Sequence, residues 1–116
     1  MAIRSFKDIL AWQKAHDLTV DIYKSFQNCR DYGFKDQIQR ASISIMNNIA
    51  EGYAKRSDKS FKNFLSIAKG SAAEVESMLL VAPDLGYLKR EKQAELLQKT
   101  DEVSKLLAGF IRSLPS

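Results

Sequence analysis

One histidine, His16, and one cysteine, Cys29, are all that this sequence of 116 residues offers to a nucleophilic or metal-assisted mechanism. A di-iron helical bundle would need Glu-x-x-His pairs on two helices and further inward carboxylates. Three residues before His16 stands Gln13, and no second histidine exists. A Ser-His or Cys-His pair would have to recruit the same His16, and no nucleophile motif accompanies it. Cys29 adjoins Arg30, whose charge could favour the thiolate. A lone thiol, however, makes neither an intramolecular disulfide nor a multi-cysteine zinc site, and it reads as incidental. No phosphate-binding glycine loop or dinucleotide fingerprint occurs. The expectation is a protein that is not an enzyme, with no catalytic residue, no metal site and no cofactor.

Two polar constellations remain. Arg40, Asn47 and Glu51 fall at i, i+7 and i+11 along one edge of a helix, and Asn48 turns toward its core side. Buried polar groups must be partnered, so these four read as a polar network that fixes helix register. The sharper alternative is a ligand or partner site. The second set, Lys55, Arg56, Lys59, Lys62 and Lys69, spans a helix corner and one side of the next helix. It could neutralise phosphates of RNA or DNA. The plainer alternative is a solvated face, because no aromatic residue is interleaved as a stacking platform and Phe61 and Phe64 are assigned to the core. The formal charge is +4, and it is one-sided. Residues 1–69 hold 12 Lys/Arg against 7 Asp/Glu, and residues 70–116 hold 6 against 7.

The elements that must position these residues are helices. Two prolines, Pro83 and Pro115, and five glycines leave room for long ones. The first is predicted at about residues 8–28, with Trp12, Ala15, Leu18, Thr19, Ile22, Tyr23 and Phe26 on one wide apolar face. Asp31-Tyr32-Gly33 is a turn signal. The second, about 34–56, places Phe34, Ile38, Ala41, Ile45, Ile49 and Gly52 on one face. Ile43, Met46 and Ala50 form a second stripe that cannot face the same core, so they are expected to form a homo-oligomer interface.

Ser57-Asp58 offers an N-cap for a third helix at about 58–84, carrying Phe61, Phe64, Leu65, Ala68, Ala72, Val75, Met78, Leu79 and Ala82. Pro83 should kink or stop it. Leu96, Leu97, Thr100, Val103, Leu107, Phe110, Ile111 and Leu114 define the buried side of the fourth, about 89–113. Gly70 reads as a close helix contact and Gly86 as a helix stop. The sum is one all-α domain over residues 1–116, an antiparallel up-down-up-down four-helix bundle. A chain of this size can bury a sufficient core without metals or disulfides. Its start lacks the apolar run of a signal peptide, and no stretch approaches a membrane span, so a soluble cytoplasmic protein without membrane contact is expected.

Two long blocks carry a resemblance. Residues 6–15, FKDILAWQKA, and residues 37–52, QIQRASISIMNNIAEG, resemble the 23S rRNA intervening-sequence (S23-like) proteins. Residues 64–76, FLSIAKGSAAEVE, look like that family's third helix, and Leu85-Gly86-Tyr87-Leu88 like its exit. The resemblance implies a four-helix bundle that assembles into a homo-oligomeric ring, usually a pentamer. It also implies kinship with accessory proteins of diversity-generating retroelements, which partner a reverse transcriptase and bind nucleic acid through a basic surface. Two positions depart from the family pattern. Met46 stands where proline is usual, which should leave the second helix less kinked, and Pro83 interrupts a helix the family normally continues. The leading expectation is a ring-forming scaffold that binds nucleic acid, RNA first, through Lys55, Arg56, Lys59, Lys62 and Lys69. The alternative is a protein-protein adaptor or assembly component whose positive charge only keeps it soluble.

Overall fold

The computed structural model describes residues 3–115. A 3-10 turn at Phe6–Asp8 precedes α1 (Leu10–Ser25), α2 (Tyr32–Ala54), α3 (Asp58–Val81) and α4 (Arg90–Ser113). No strand occurs among the described residues. Every neighbouring pair of helices runs antiparallel, as the cross-helix contacts show. Gln37 reaches Glu74, Ser44 reaches Ser71 and Gly52 abuts Phe64, so numbering falls along α3 as it rises along α2. Thr19 meets Ser42 and Phe26 meets Phe34 between α1 and α2. Leu79 with Gln93 and Phe61 with Phe110 set the α3–α4 register, and Lys14 with Glu102 and Asp21 with Lys99 close the bundle between α1 and α4.

The helix ends follow local chemistry and correct several expected boundaries. The first helix starts at Leu10, because Ser5 and Asp8 form a reciprocal cap that closes a separate 3-10 turn and leaves Ile9 extended. Asp31 is an N-cap rather than part of a turn. Its carboxylate accepts from the Phe34 N–H at 3.1 Å, so α2 already includes Tyr32 and Gly33. Ser57 caps α3 by accepting from the Ser60 N–H. That helix ends at Val81, two residues before Pro83, and Gly86 takes φ +79° in the exit, where a side chain would be strained. α2 runs unbroken through Met46.

The core is aliphatic. Leu18, Ile22, Ile38, Ile45, Ile49, Leu65, Val75, Leu79, Leu96, Val103 and Leu107 are fully buried, with Ala15, Ala68 and Ala72 where the helices crowd. Its buried hydroxyls are partnered: Thr19 donates to the Ala15 or Ser42 carbonyl, Ser42 to that of Gln39 and Thr100 to that of Leu96. The close helix contact is at Gly52. A Cβ there would lie 2.7 Å from the Phe64 Cβ and 3.0 Å from the Phe61 ring, whereas a Cβ on Gly70 would meet nothing within 4 Å. The packing role expected of Gly70 therefore belongs to Gly52, because Gly70 faces solvent.

Candidate nucleic-acid interface

The sequence-predicted cations lie where α2 hands over to α3, but they do not form one line. Lys59, Lys62 and Lys69 follow the outward and α4-ward flank of α3. Lys55 turns back, its Nζ 5.8 Å from the centre of the half-buried Phe64 ring. Arg56 sits in the left-handed region at φ 59° and lines a cleft at this end of the bundle. Among the described residues none of these five cations makes an ion pair. Six cations elsewhere are paired, Lys14 to Glu102, Arg40 to Asp36, Arg90 to Asp84, Lys92 and Lys99 to Asp21, and Lys105 to Asp101, whereas Arg4, Lys7, Lys24, Arg30, Lys35, Lys89 and Arg112 make no ion pair among the described residues.

Asp21 is the most enclosed of those carboxylates. Burial pushes its pKa up, but the hydrogen bonds from Lys92 and Lys99 outweigh it and hold the pKa below the ordinary 3.8. The same bond to Asp21 raises the Lys92 pKa above 10.5. At the opposite end from the basic corner, the Tyr87 hydroxyl donates to Asp31 at 2.6 Å, which lowers the Asp31 pKa and raises that of Tyr87.

The cleft beside Arg56 has a volume of about 670 Å³. It draws on three separated segments: Ile3 to Phe6, Gly52 to Phe61, and Phe110 with Leu114. Phe61, 8% exposed, stands edge-to-face with both Tyr53 and Phe110, at centroid distances of 6.2 and 5.1 Å. The Tyr53 hydroxyl donates to the Ile3 carbonyl and ties the N-terminal segment over the corner. Phe6 lines the cleft and packs edge-to-face on Trp12 at 5.2 Å. The fold thus brings to one end aromatic residues that the linear sequence separates.

The proposed polar network is not assembled as expected. Arg40 is exposed and paired with Asp36 one turn earlier, and Asn47 and Glu51 face solvent. Only Asn48 is tied in, donating to the Ser44 carbonyl and hydroxyl, and Ser44 in turn shares a hydrogen bond with Ser71 of α3. Helix geometry explains the difference: the edge facing α3 is that of Gln37, Ser44 and Asn48, and Arg40, Asn47 and Glu51 lie further out. Ile43 is 37% exposed and Ala50 half-buried, while Met46 packs partly against its own core. Val20 and Tyr23, 40% and 38% exposed, extend this apolar strip across the α1–α2 seam next to the Thr19–Ser42 contact. Sequence periodicity places Tyr23 on the core face, and the structure moves it to the exposed edge of that face.

His16 lies 5.5 Å from the Trp12 ring and is exposed, with Nδ1 3.4 Å from Asp17. Cys29 is half-buried, its Sγ 3.8 Å from the Asp31 carbonyl. Among the described residues no three His, Cys, Asp or Glu side chains converge as a metal site would require, and no helix is long and apolar enough to cross a membrane.

This architecture is an antiparallel four-helix bundle. The chain belongs to the 23S rRNA-intervening sequence protein family, whose model matches residues 7–109. Among solved structures it is similar to a protein of unknown function from the S23 ribosomal protein family of Bacteroides thetaiotaomicron. That match has 28% identity and a TM-score of 0.84, over 92% of this chain and 99% of the other. None of the curated proteins matches the chain at a significant level.

Proposed function

We propose that this chain is a non-enzymatic, ring-forming cytoplasmic scaffold that binds nucleic acid, RNA first, through the α2–α3 corner. The observation that carries the reading is the clustering of unpaired cations where α2 hands over to α3. Lys55, Arg56, Lys59, Lys62 and Lys69 have no carboxylate partner among the described residues, while cations on α1 and α4 are largely neutralised within the bundle. Unpaired cations release the counterions of a polyanion when it docks, which is the main source of nucleic-acid affinity. Assembly would multiply the effect, because each subunit repeats the same handful of charges around a ring. A closed ring joins two different faces of each subunit. The Val20, Tyr23 and Ile43 strip supplies one apolar face, and Ile67, exposed on α3, supplies a candidate for the other.

Replacing Lys55, Lys59 and Lys62 with Glu tests the reading. Single-stranded RNA binding should weaken sharply, and the slope of log affinity against log salt should flatten by about 2, at about 0.7 per lost phosphate contact. Helicity and oligomeric state should not change. The exposed apolar strip also favours a second reading, a protein-directed adaptor. That reading takes over if the parent binds no RNA at low salt or the triple variant binds as tightly as the parent.

A further inference from the structure

We infer that the cleft between the N-terminal segment, the α2–α3 corner and the end of α4 receives one unstacked base of a single-stranded nucleic acid. The inference rests on the nucleic-acid reading above and names the form of the ligand. Three observations converge on it. The cleft volume of about 670 Å³ lies within the range that holds small organic ligands. Its wall is aromatic, with Phe61 at the back and the half-buried Tyr53 and Phe110 on either side. Arg4 and Arg56 stand beside that wall against one carboxylate, Asp58, and neither arginine makes an ion pair among the described residues.

Apolar rings beside guanidinium groups match a nucleotide, whose π-face stacks and whose phosphate takes the charge. A base paired inside a duplex presents no free face, so the cleft selects unpaired strands. An apolar side chain from a second copy would have no use for the two arginines. Arg56 also follows Lys55 in the chain and opens the turn that leads to Lys59 and Lys62, the cations that would meet the flanking phosphates.

The backbone adds an independent sign. Arg56 holds φ 59°, a conformation that costs a non-glycine residue strain. Glycine would sit there more comfortably, so an arginine in this place keeps its side chain at the expense of stability. Arg56→Gly should therefore raise the melting temperature while weakening binding, a pairing that a purely structural role for Arg56 does not produce.

The test uses the full chain and three fluorescent probes: a ten-nucleotide oligodeoxyadenylate, a strand of equal length with an abasic spacer at every position, and the ten-base-pair duplex. At one fixed salt concentration the base-bearing strand should bind about tenfold tighter than the abasic strand, equivalent to about 1.4 kcal/mol. Only the base-bearing strand should change the emission of Trp12, which touches the cleft through Phe6. Ala54 is exposed and lines the cleft, so Ala54→Trp fills the opening without touching the core. This variant should bring the ratio of base-bearing to abasic affinity toward one, while Arg56→Gly and Lys59→Glu, which remove phosphate contacts, weaken both strands alike. Equal binding of the two strands by the parent, or an unchanged ratio in Ala54→Trp, overturns the inference and leaves the basic corner standing. Absence of binding to every probe at low salt overturns the nucleic-acid reading and the inference with it. A shift of oligomeric state in Ala54→Trp with no loss of strand preference assigns the cleft to a second copy and overturns the inference too.

Discussion

Alanine at Gly52 and alanine at Gly70 are the same change in two helix interiors, and the structure demands opposite outcomes. In a helix interior, Gly→Ala gains about 1 kcal/mol of propensity wherever the added methyl fits. At Gly70 it fits, since nothing lies within 4 Å. At Gly52 the methyl carbon would stand 2.7 Å from the Phe64 Cβ, an atom fixed to the α3 backbone, and 3.0 Å from Phe61. Carbon atoms pack best about 3.5–4.0 Å apart, so α3 must move by most of an ångström or the rings must leave their rotamers. Overpacking of this kind costs about 1–3 kcal/mol.

Propensity cancels between the two variants, and the packing penalty alone should separate them. With an unfolding entropy of about 2.1 cal/mol/K per residue, a chain of this length shifts by about 4 °C per kcal/mol. Gly70→Ala should melt about 4 °C above the parent, and Gly52→Ala about 4–12 °C below Gly70→Ala. Far-UV circular dichroism on heating, repeated in urea, measures both. A Gly52→Ala protein as stable as Gly70→Ala would show that α2 and α3 do not approach as described.

Asp21→Asn removes the carboxylate that Lys92 and Lys99 share and should cost about 1–2 kcal/mol, between the values for exposed and buried pairs. Because the folded Asp21 pKa is lowered, its stabilisation is complete above the ordinary 3.8 and is lost as pH falls through the folded value; because the Lys92 pKa is raised, the same pair is complete below 10.5 and is lost as pH rises past it. A urea series across pH should show both limbs in the parent and flatter limbs in the variant. Ile43→Asp should dissociate the assembly to monomers of unchanged helicity, and light scattering showing a monomer for the parent at micromolar concentration would refute the interface. Tyr87→Phe removes the bond to the Asp31 N-cap, so Asp31 should titrate nearer the ordinary 3.8 in an NMR pH series.

The fold was legible because burial in a bundle follows a 3.6-residue period. Phe61, Leu65, Ala68, Ala72, Val75 and Leu79 share one face of α3 in the sequence and are buried together in the molecule. Periodicity places a residue on a face but names no partner across the seam. Periodicity therefore points to Gly70 as the packing glycine and groups Arg40, Asn47 and Glu51, whereas the cross-helix ties are Gln37 to Glu74 and Ser44 to Ser71, with Asn48 braced on Ser44 of its own helix. Tyr23 shows the limit at the edge of a face, where being half-covered or exposed depends on the neighbouring helix. The cleft was illegible for a stronger reason. Ile3, Tyr53, Phe61 and Phe110 are far apart in sequence, and only the antiparallel register brings them to one end.

The distribution of charge in the bundle has a physical cost that its sequence does not avoid. Lys59 and Lys62 lie three residues apart on α3, a spacing at which like charges oppose each other by about 0.2–0.5 kcal/mol. Acidic residues are available to the chain, yet Asp21, Asp101 and Glu102 are placed where they neutralise lysines of α1 and α4. At the corner the opposite choices accumulate: uncompensated lysines, an arginine in a strained backbone conformation, and aromatic rings held partly open instead of closed into the core. Each lowers the stability of the isolated chain, and on the proposed reading a polyanion with an unpaired base would relieve the first and fill the last. The corner is also fixed in advance. Gly52 clamps α2 against α3, Ser57 caps the turn, and the Tyr53 hydroxyl holds the N-terminal segment by the Ile3 carbonyl. On that reading, a site already ordered before binding would lose little entropy when the ligand arrives, so a modest number of contacts would be enough.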